Sequence, residues 1–186
     1  MQKGKFMLYN YGERLEKFGS KYNVSKLLSS GELYKLEKGV YSDASYVPTL
    51  QIISKKYPNA VFTLNSAFYY HGLTDTIPDR YYLMTGRGTS RIADERVVQF
   101  FENSDQLMTG AEYTFHNDAK ILMYNKERML VELLRYKNKL PFDYYKEILG
   151  NYRNLIHDLD IRAVQEYAEA LPKTGMIMEA LQTEVL

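Results

Sequence analysis

Three glycines, Gly19, Gly31 and Gly39, punctuate the start of the chain and constrain what it can become. Ahead of Gly19, Leu8, Tyr11, Leu15 and Phe18 recur at helical spacing, and glycine suits a helix C-terminus because it enters the left-handed region without steric cost. Ser20 offers an N-cap to a second helix running to about Ser30. Its apolar side is Tyr22, Val24, Leu27 and Leu28, and Gly31 closes it. In ELYKLEKGVYSD, residues Leu33, Tyr34, Leu36, Val40 and Tyr41 flank a Glu37-Lys38-Gly39 turn, the pattern of a tight two-stranded hairpin. Two short helices followed by a hairpin is the order of a small winged helix-turn-helix, which we assign to residues 1–45.

Charge is divided in the same place. Residues 1–40 carry eight basic side chains (Lys3, Lys5, Arg14, Lys17, Lys21, Lys26, Lys35, Lys38) against four acidic ones, while the other 146 residues carry sixteen against nineteen. The net charge of +1 therefore conceals +4 in the small N-terminal piece and −3 in the rest. That distribution is expected of a chain in which one module meets a polyanion. A composition with 14% aromatic and 25% charged residues argues against disorder. The absence of cysteine excludes disulfides and thiolate chemistry. The N-terminus has no apolar run of secretory length, and no segment approaches the ~20 apolar residues of a membrane span, so a cytoplasmic protein without a membrane partner is expected.

Residues 46–186 read as a larger α+β domain with a small sheet and a helical last third. Thr49–Tyr57 is helical in period, with Leu50, Ile53 and Tyr57 on one side and Pro58 ending it. Strands are expected at Arg80–Thr85, Val97–Glu102, Glu112–His116 and Lys120–Tyr124. Asn125 caps a helix whose core stripe is Met129, Leu130, Leu133 and Leu134, with Glu132 able to pair with Arg135 or Tyr136. Further helices begin at Pro141, at Asp158 or Asp160, and at Thr174, the last running to Glu184.

The segment TLNSAFYYHGLTDTIPDRYYLMT, Thr63–Thr85, brings His71, Asp75, Asp79 and Arg80 together in sequence and raises the question of a catalytic cluster. Its simplest reading is a helix-turn-strand signature. Leu64–Tyr70 forms a short helix with Leu64, Ala67 and Phe68 inward, His71 lies near its C-terminal dipole, and Gly72 is its left-handed cap. His71, His116 and His157 lie about forty residues apart, so no two share a helix face as metal ligands. No GxSxG elbow is present, and Ser66 belongs to a helix's first turn. Gly19-Ser20 and Asp158-Leu159-Asp160 are the fragments of a nucleotidyltransferase site, but about 140 residues separate them, and each has a capping role of its own. Gly86-Arg87-Gly88-Thr89-Ser90-Arg91 lacks the third glycine of a dinucleotide fingerprint and reads as an exposed turn, in which Arg87 and Arg91 offer secondary phosphate contacts. No catalytic residue and no cofactor is expected.

What remains is the basic second helix with its hairpin. Lys21, Tyr22 and Asn23 in its first turn, with Ser25 and Lys26 a turn later, are residue types that reach base edges and phosphates from the N-terminal part of a recognition helix. Lys35 and Lys38 on the hairpin would hold the flanking backbone. A solvated helical hairpin with Tyr22 packed inside accounts for the same composition, and both readings stand at this point.

Three segments resemble a known family, the AbiEi-type antitoxins of type IV toxin-antitoxin systems. SSGELYKLEKGVYSD resembles the end of that family's winged module, and LNSAFYYHGLTDTIPDRYYLMT its segment of serine, alanine, His-Gly-Leu, Ile-Pro and a strand. ILMYNKERMLVELLRYKNK is similar to its "ERTlvDll" helix, with Met129 where threonine is usual and Glu132 where aspartate is usual. The N-terminal helical part is shorter than the family's module. The resemblance implies a transcriptional repressor of an abortive-infection operon that binds operator DNA with repeats in its own promoter. Its functional pairing would be with an AbiEii-type nucleotidyltransferase toxin, without stable direct contact. The tyrosine content and the Arg87/Arg91 loop leave an alternative: a protein-interaction module or nucleotide-handling enzyme in the C-terminal domain, with an accessory basic N-terminus.

Overall fold

The computed structural model describes residues 6–185, so Lys3 and Lys5 of the basic segment lie outside the described residues. The chain is of the α+β class, with helices and two small sheets of three and five strands. It divides into two units: the residues up to Pro58 with Asn117–Lys120, and Asn59–His116 with Ile121 onward.

The first unit runs β1 (Leu8–Tyr9), α1 (Tyr11–Phe18), α2 (Lys21–Ser30), β2 (Tyr34–Glu37), β3 (Val40–Ser42) and α3 (Thr49–Lys56). The helical stripe expected from Leu8 begins later. Asn10 is extended and caps α1, its side chain accepting from the Glu13 N–H while Glu13 returns a bond to the Asn10 N–H. This reciprocal pair starts the helix after Asn10 and leaves Leu8 and Tyr9 to pair with Ser42 and Tyr41 on β3. Gly19 and Gly31 end their helices at φ +85° and +76° as expected, and Ser20 accepts from the Asn23 N–H.

β3 is the middle strand, antiparallel to β1 and β2, and alternation along these strands supplies two apolar faces. Tyr9 and Tyr41 pack with Val24, Leu33, Leu15 and Phe18, which belong to the α1–α2 side. Leu8, Val40 and Leu36 pack with Val47 and Ile52, from α3 and its approach. The unit therefore takes in α3 as well as the residues up to 45, because α3 covers the second face of the sheet.

The second unit holds β4 (Val61–Phe62), α4 (Leu64–Tyr70), β5 (Tyr81–Gly86), β6 (Val97–Glu102), β7 (Ala111–His116), all but the first two residues of β8 (Ala119–Tyr124), α5 (Lys126–Arg135), α6 (Phe142–Asn154), α7 (Ile161–Ala170) and α8 (Thr174–Ala180). Its strand order is β6-β5-β4-β8-β7, with β4 antiparallel to β5 and parallel to β8, and β5 parallel to β6. The last helix is shorter than expected, giving way after Ala180 to a π-helical turn, Leu181–Val185. α5 departs from the simple amphipathic stripe. Every residue from Arg128 to Leu134 is buried, the two charged ones included.

Candidate nucleic-acid interface

α2 presents two sides of different chemistry. Val24 is buried and Leu27 and Leu28 half-buried, all packed into the core under the sheet. Helical periodicity then turns Lys21, Tyr22, Asn23, Ser25 and Lys26 outward, and all five are exposed. Tyr22 is 77% exposed. This corrects its placement on the apolar side of the helix and removes the packed tyrosine on which the solvated-hairpin reading depended. Asn23 has a structural duty as well, since its Nδ2 donates to the Phe18 carbonyl at 3.2 Å across the helix-helix turn.

β2 follows Gly31 and Leu33, and a Cβ built on Gly31 would lie 3.9 Å from the Tyr34 hydroxyl, so the start of β2 is beside the end of α2. Lys35 lies on β2 and Lys38 in the turn, where Gly39 takes φ +84°; both lysines are exposed. Among the described residues none of Lys21, Lys26, Lys35 and Lys38 is in an ion pair. Lys55 and Lys56 differ: they bond Glu13 and Glu37. Exposed cations left without carboxylate partners are available to phosphate.

Arg87 and Arg91 are exposed in the loop after β5. The Arg87 N–H donates to the Glu102 carbonyl at 2.9 Å and the Thr89 N–H to Gly86. No helix opens after the loop, which leads into β6, so the helix N-terminus that completes a dinucleotide cradle is missing there.

The sequence-adjacent cluster at 71–80 disperses. Asp75, Asp79 and Arg80 are exposed, Arg80 meeting only its neighbour Asp79 among the described residues, at 3.5 Å. The His71 Nε2 donates to the Tyr124 carbonyl at 2.7 Å, and burial holds its imidazole below the ordinary histidine pKa although that bond acts in the opposite direction. Ser66 has a local role: its Oγ accepts from the Tyr82 N–H.

His71 and His116, forty-five residues apart in sequence, share a cleft of about 340 Å³ that spacing alone does not reveal, lined also by Tyr70, Glu112, Asn125, Lys126 and Glu127. The rings of His116 and Tyr70 lie 4.1 Å apart, and burial lowers the His116 pKa too. His157 sits elsewhere, exposed in a 3-10 turn. No group of three metal-ligating side chains occurs among the described residues, and no described helix is long and apolar enough to cross a membrane.

A buried charge cluster also escaped sequence reasoning. The Arg128 Nε donates to Glu132 at 2.9 Å, and the Arg135 Nη1 donates to Glu132 at 2.7 Å and to Glu102 at 2.8 Å. Arg128 also donates to the Gln106 and Thr109 carbonyls, and its guanidinium covers the Tyr124 ring at 4.4 Å. Burial works against the Arg135 charge, but Glu132 and Glu102 outweigh it and raise its pKa. The Glu132–Arg135 pair was legible at i, i+3; Glu102 lies too far away in sequence to be foreseen.

No protein-family model matches this chain, and no curated protein matches it. The resemblance to AbiEi-type antitoxins therefore rests on the three quoted segments alone.

Proposed function

We propose that this chain is a DNA-binding transcriptional repressor that acts without enzymatic activity. The observation that carries the reading is the outward side of α2. Tyr22, Asn23 and Ser25 stand there between Lys21 and Lys26, with Lys35 and Lys38 on the hairpin, and among the described residues none of the four cations is in an ion pair. The order β1-α1-α2-β2-β3, with two residues between the helices, agrees with a winged helix-turn-helix whose second helix enters the major groove. Following the segment resemblance, the operator would be repeats in the chain's own promoter. The protein would be the cytoplasmic antitoxin of a type IV system, countering an AbiEii-type nucleotidyltransferase toxin without stable contact.

The test is a gel shift with the DNA upstream of the chain's own gene. Binding at low salt that weakens steeply as salt rises is expected. Lys21→Ala and Lys26→Ala should lower affinity for every sequence, and Tyr22→Ala should narrow the gap between operator and unrelated DNA. No binding at low salt would overturn the reading. A second reading draws on the cleft between His71 and His116: the C-terminal unit handles a small ligand or nucleotide while the basic segment is accessory. Retention of operator binding by His71→Gln and His116→Gln variants, with unchanged repression in cells, would count against it.

A further inference from the structure

Arg14 of α1 is only 8% exposed, yet it stands in no ion pair and no hydrogen bond with another described residue. Its guanidinium lies between two rings, with Cζ 4.4 Å from the centre of Tyr11 and 4.1 Å from that of Tyr41. Rings stabilise the flat faces of a guanidinium, but its five N–H donors point outward in its own plane, where the rings offer no acceptor. Nε is closed off from solvent without a hydrogen-bond partner, which leaves the two Nη groups as the edge that can meet a ligand. Buried charges are normally paired, so the partner this one lacks is an anion. Residues 1–5 contain no acidic side chain to supply it.

The register of the three-stranded sheet says what lies beside that edge. Tyr41 on β3 is opposite Tyr9 on β1 and opposite Lys35 on β2. Directly opposed residues of an antiparallel sheet point to the same side, with Cβ atoms about 5 Å apart. Tyr9 and Tyr41 face α1 and α2, and so does Leu33, two residues before Lys35. Lys35 therefore leaves β2 on the side where Arg14 covers the Tyr41 ring, and it is exposed on an edge strand. In a helix-turn-helix the first helix crosses the sugar-phosphate backbone while the second enters the major groove, and α1 is that first helix.

We infer that Arg14 and Lys35 close on one phosphate of the DNA backbone, Arg14 through its two-pronged Nη edge and Lys35 as a point charge. The inference rests on the DNA-binding reading and adds to it a contact from α1. The two tyrosine rings fix the guanidinium before DNA arrives, so little side-chain freedom is lost on binding.

Arg14→Lys keeps the charge and gives up the fork. In fluorescence anisotropy with the full chain it should bind the upstream DNA roughly tenfold more weakly at every salt concentration, with the salt slope unchanged. An unrelated duplex should lose as much, because a phosphate contact carries no sequence information. Combined with Lys35→Ala, the loss should be smaller than the product of the two single losses, since both side chains meet one phosphate; combined with Lys26→Ala it should be the full product. A purely structural role for Arg14 gives the full product in both pairs. Should Arg14→Lys fail to fold by circular dichroism, Arg14→Met, which keeps the packing between the rings, takes its place in the same two pairs. A variant that binds as tightly as the unaltered chain, or a full product with Lys35→Ala, would overturn this inference and leave the DNA-binding reading standing. An unaltered chain that binds neither duplex at low salt would overturn both.

Discussion

Arg128 has no exposed surface and spends its guanidinium on Glu132, two carbonyls and the Tyr124 ring. Removing it leaves two buried carboxylates, Glu132 and Glu102, to share Arg135. Breaking a buried pair from one side costs about 3–5 kcal/mol, because the remaining charge keeps its desolvation penalty. Arg128→Met should lower the unfolding free energy obtained from urea titration by that amount, and Arg128→Met combined with Glu132→Met should recover part of the loss. Gly110 is tied to the same site: it takes φ +72°, and a Cβ there would sit 2.6 Å from the Arg128 Cβ. Gly110→Ala meets both a left-handed backbone and a clash with packed side chain, and should cost roughly 2–4 kcal/mol in the same measurement. His71 makes a prediction in pH. Its folded pKa lies below the unfolded value of about 6.5, so the unfolded chain takes up the proton more readily. Its contribution is complete above that value and is lost as pH falls through the window beneath it. His71→Gln, compared with the unaltered chain at pH 8 and pH 5.5 by urea unfolding, should show a smaller drop between the two.

At the scale of elements, local chemistry made much of the chain legible. Ser20, Asn125 and Asp160 each cap the helix they precede, accepting from the N–H three residues on, and each was recognisable as a short polar side chain before an apolar period. Ser20→Ala should therefore cost about 1 kcal/mol and loosen the start of α2, which thermal unfolding would detect. Where sequence reasoning missed, a competing interaction had won. The apolar spacing from Leu8 looked helical, but the reciprocal Asn10–Glu13 pair fixed the start and gave Leu8 and Tyr9 to the sheet. Tyr22 fitted an apolar stripe by type, yet Val24, Leu27 and Leu28 already filled the core beneath α2. Nothing in the sequence marked Arg128 for burial, because the carbonyls it bonds, of Gln106 and Thr109, lie in a segment well before its helix. For the candidate interface, the lysines and their elements were visible in the sequence; that they are exposed, and in no ion pair among the described residues, required the three-dimensional structure.

For the molecule as a whole, the uneven charge makes a prediction about salt. Net charge near +1 gives little long-range attraction to DNA, so under the proposed repressor function affinity would come from contacts at the basic end. If Lys21, Lys26, Lys35 and Lys38 each neutralise one phosphate, log Kobs should fall against log salt with a slope near −3.6, from about 0.9 per phosphate. Raising salt from about 50 to about 200 mM would then weaken binding roughly 150-fold. Each lysine replaced by alanine should flatten the slope by about 0.9, whichever sequence is bound. Tyr22→Ala should leave the slope unchanged, because it releases no counterion, and at 77% exposure it should leave stability unchanged within about 0.5 kcal/mol. Fluorescence anisotropy across a salt series separates these two classes of residue. A slope insensitive to all four lysines would locate the DNA contact elsewhere in the chain, with Arg87 and Arg91 the next cations to remove.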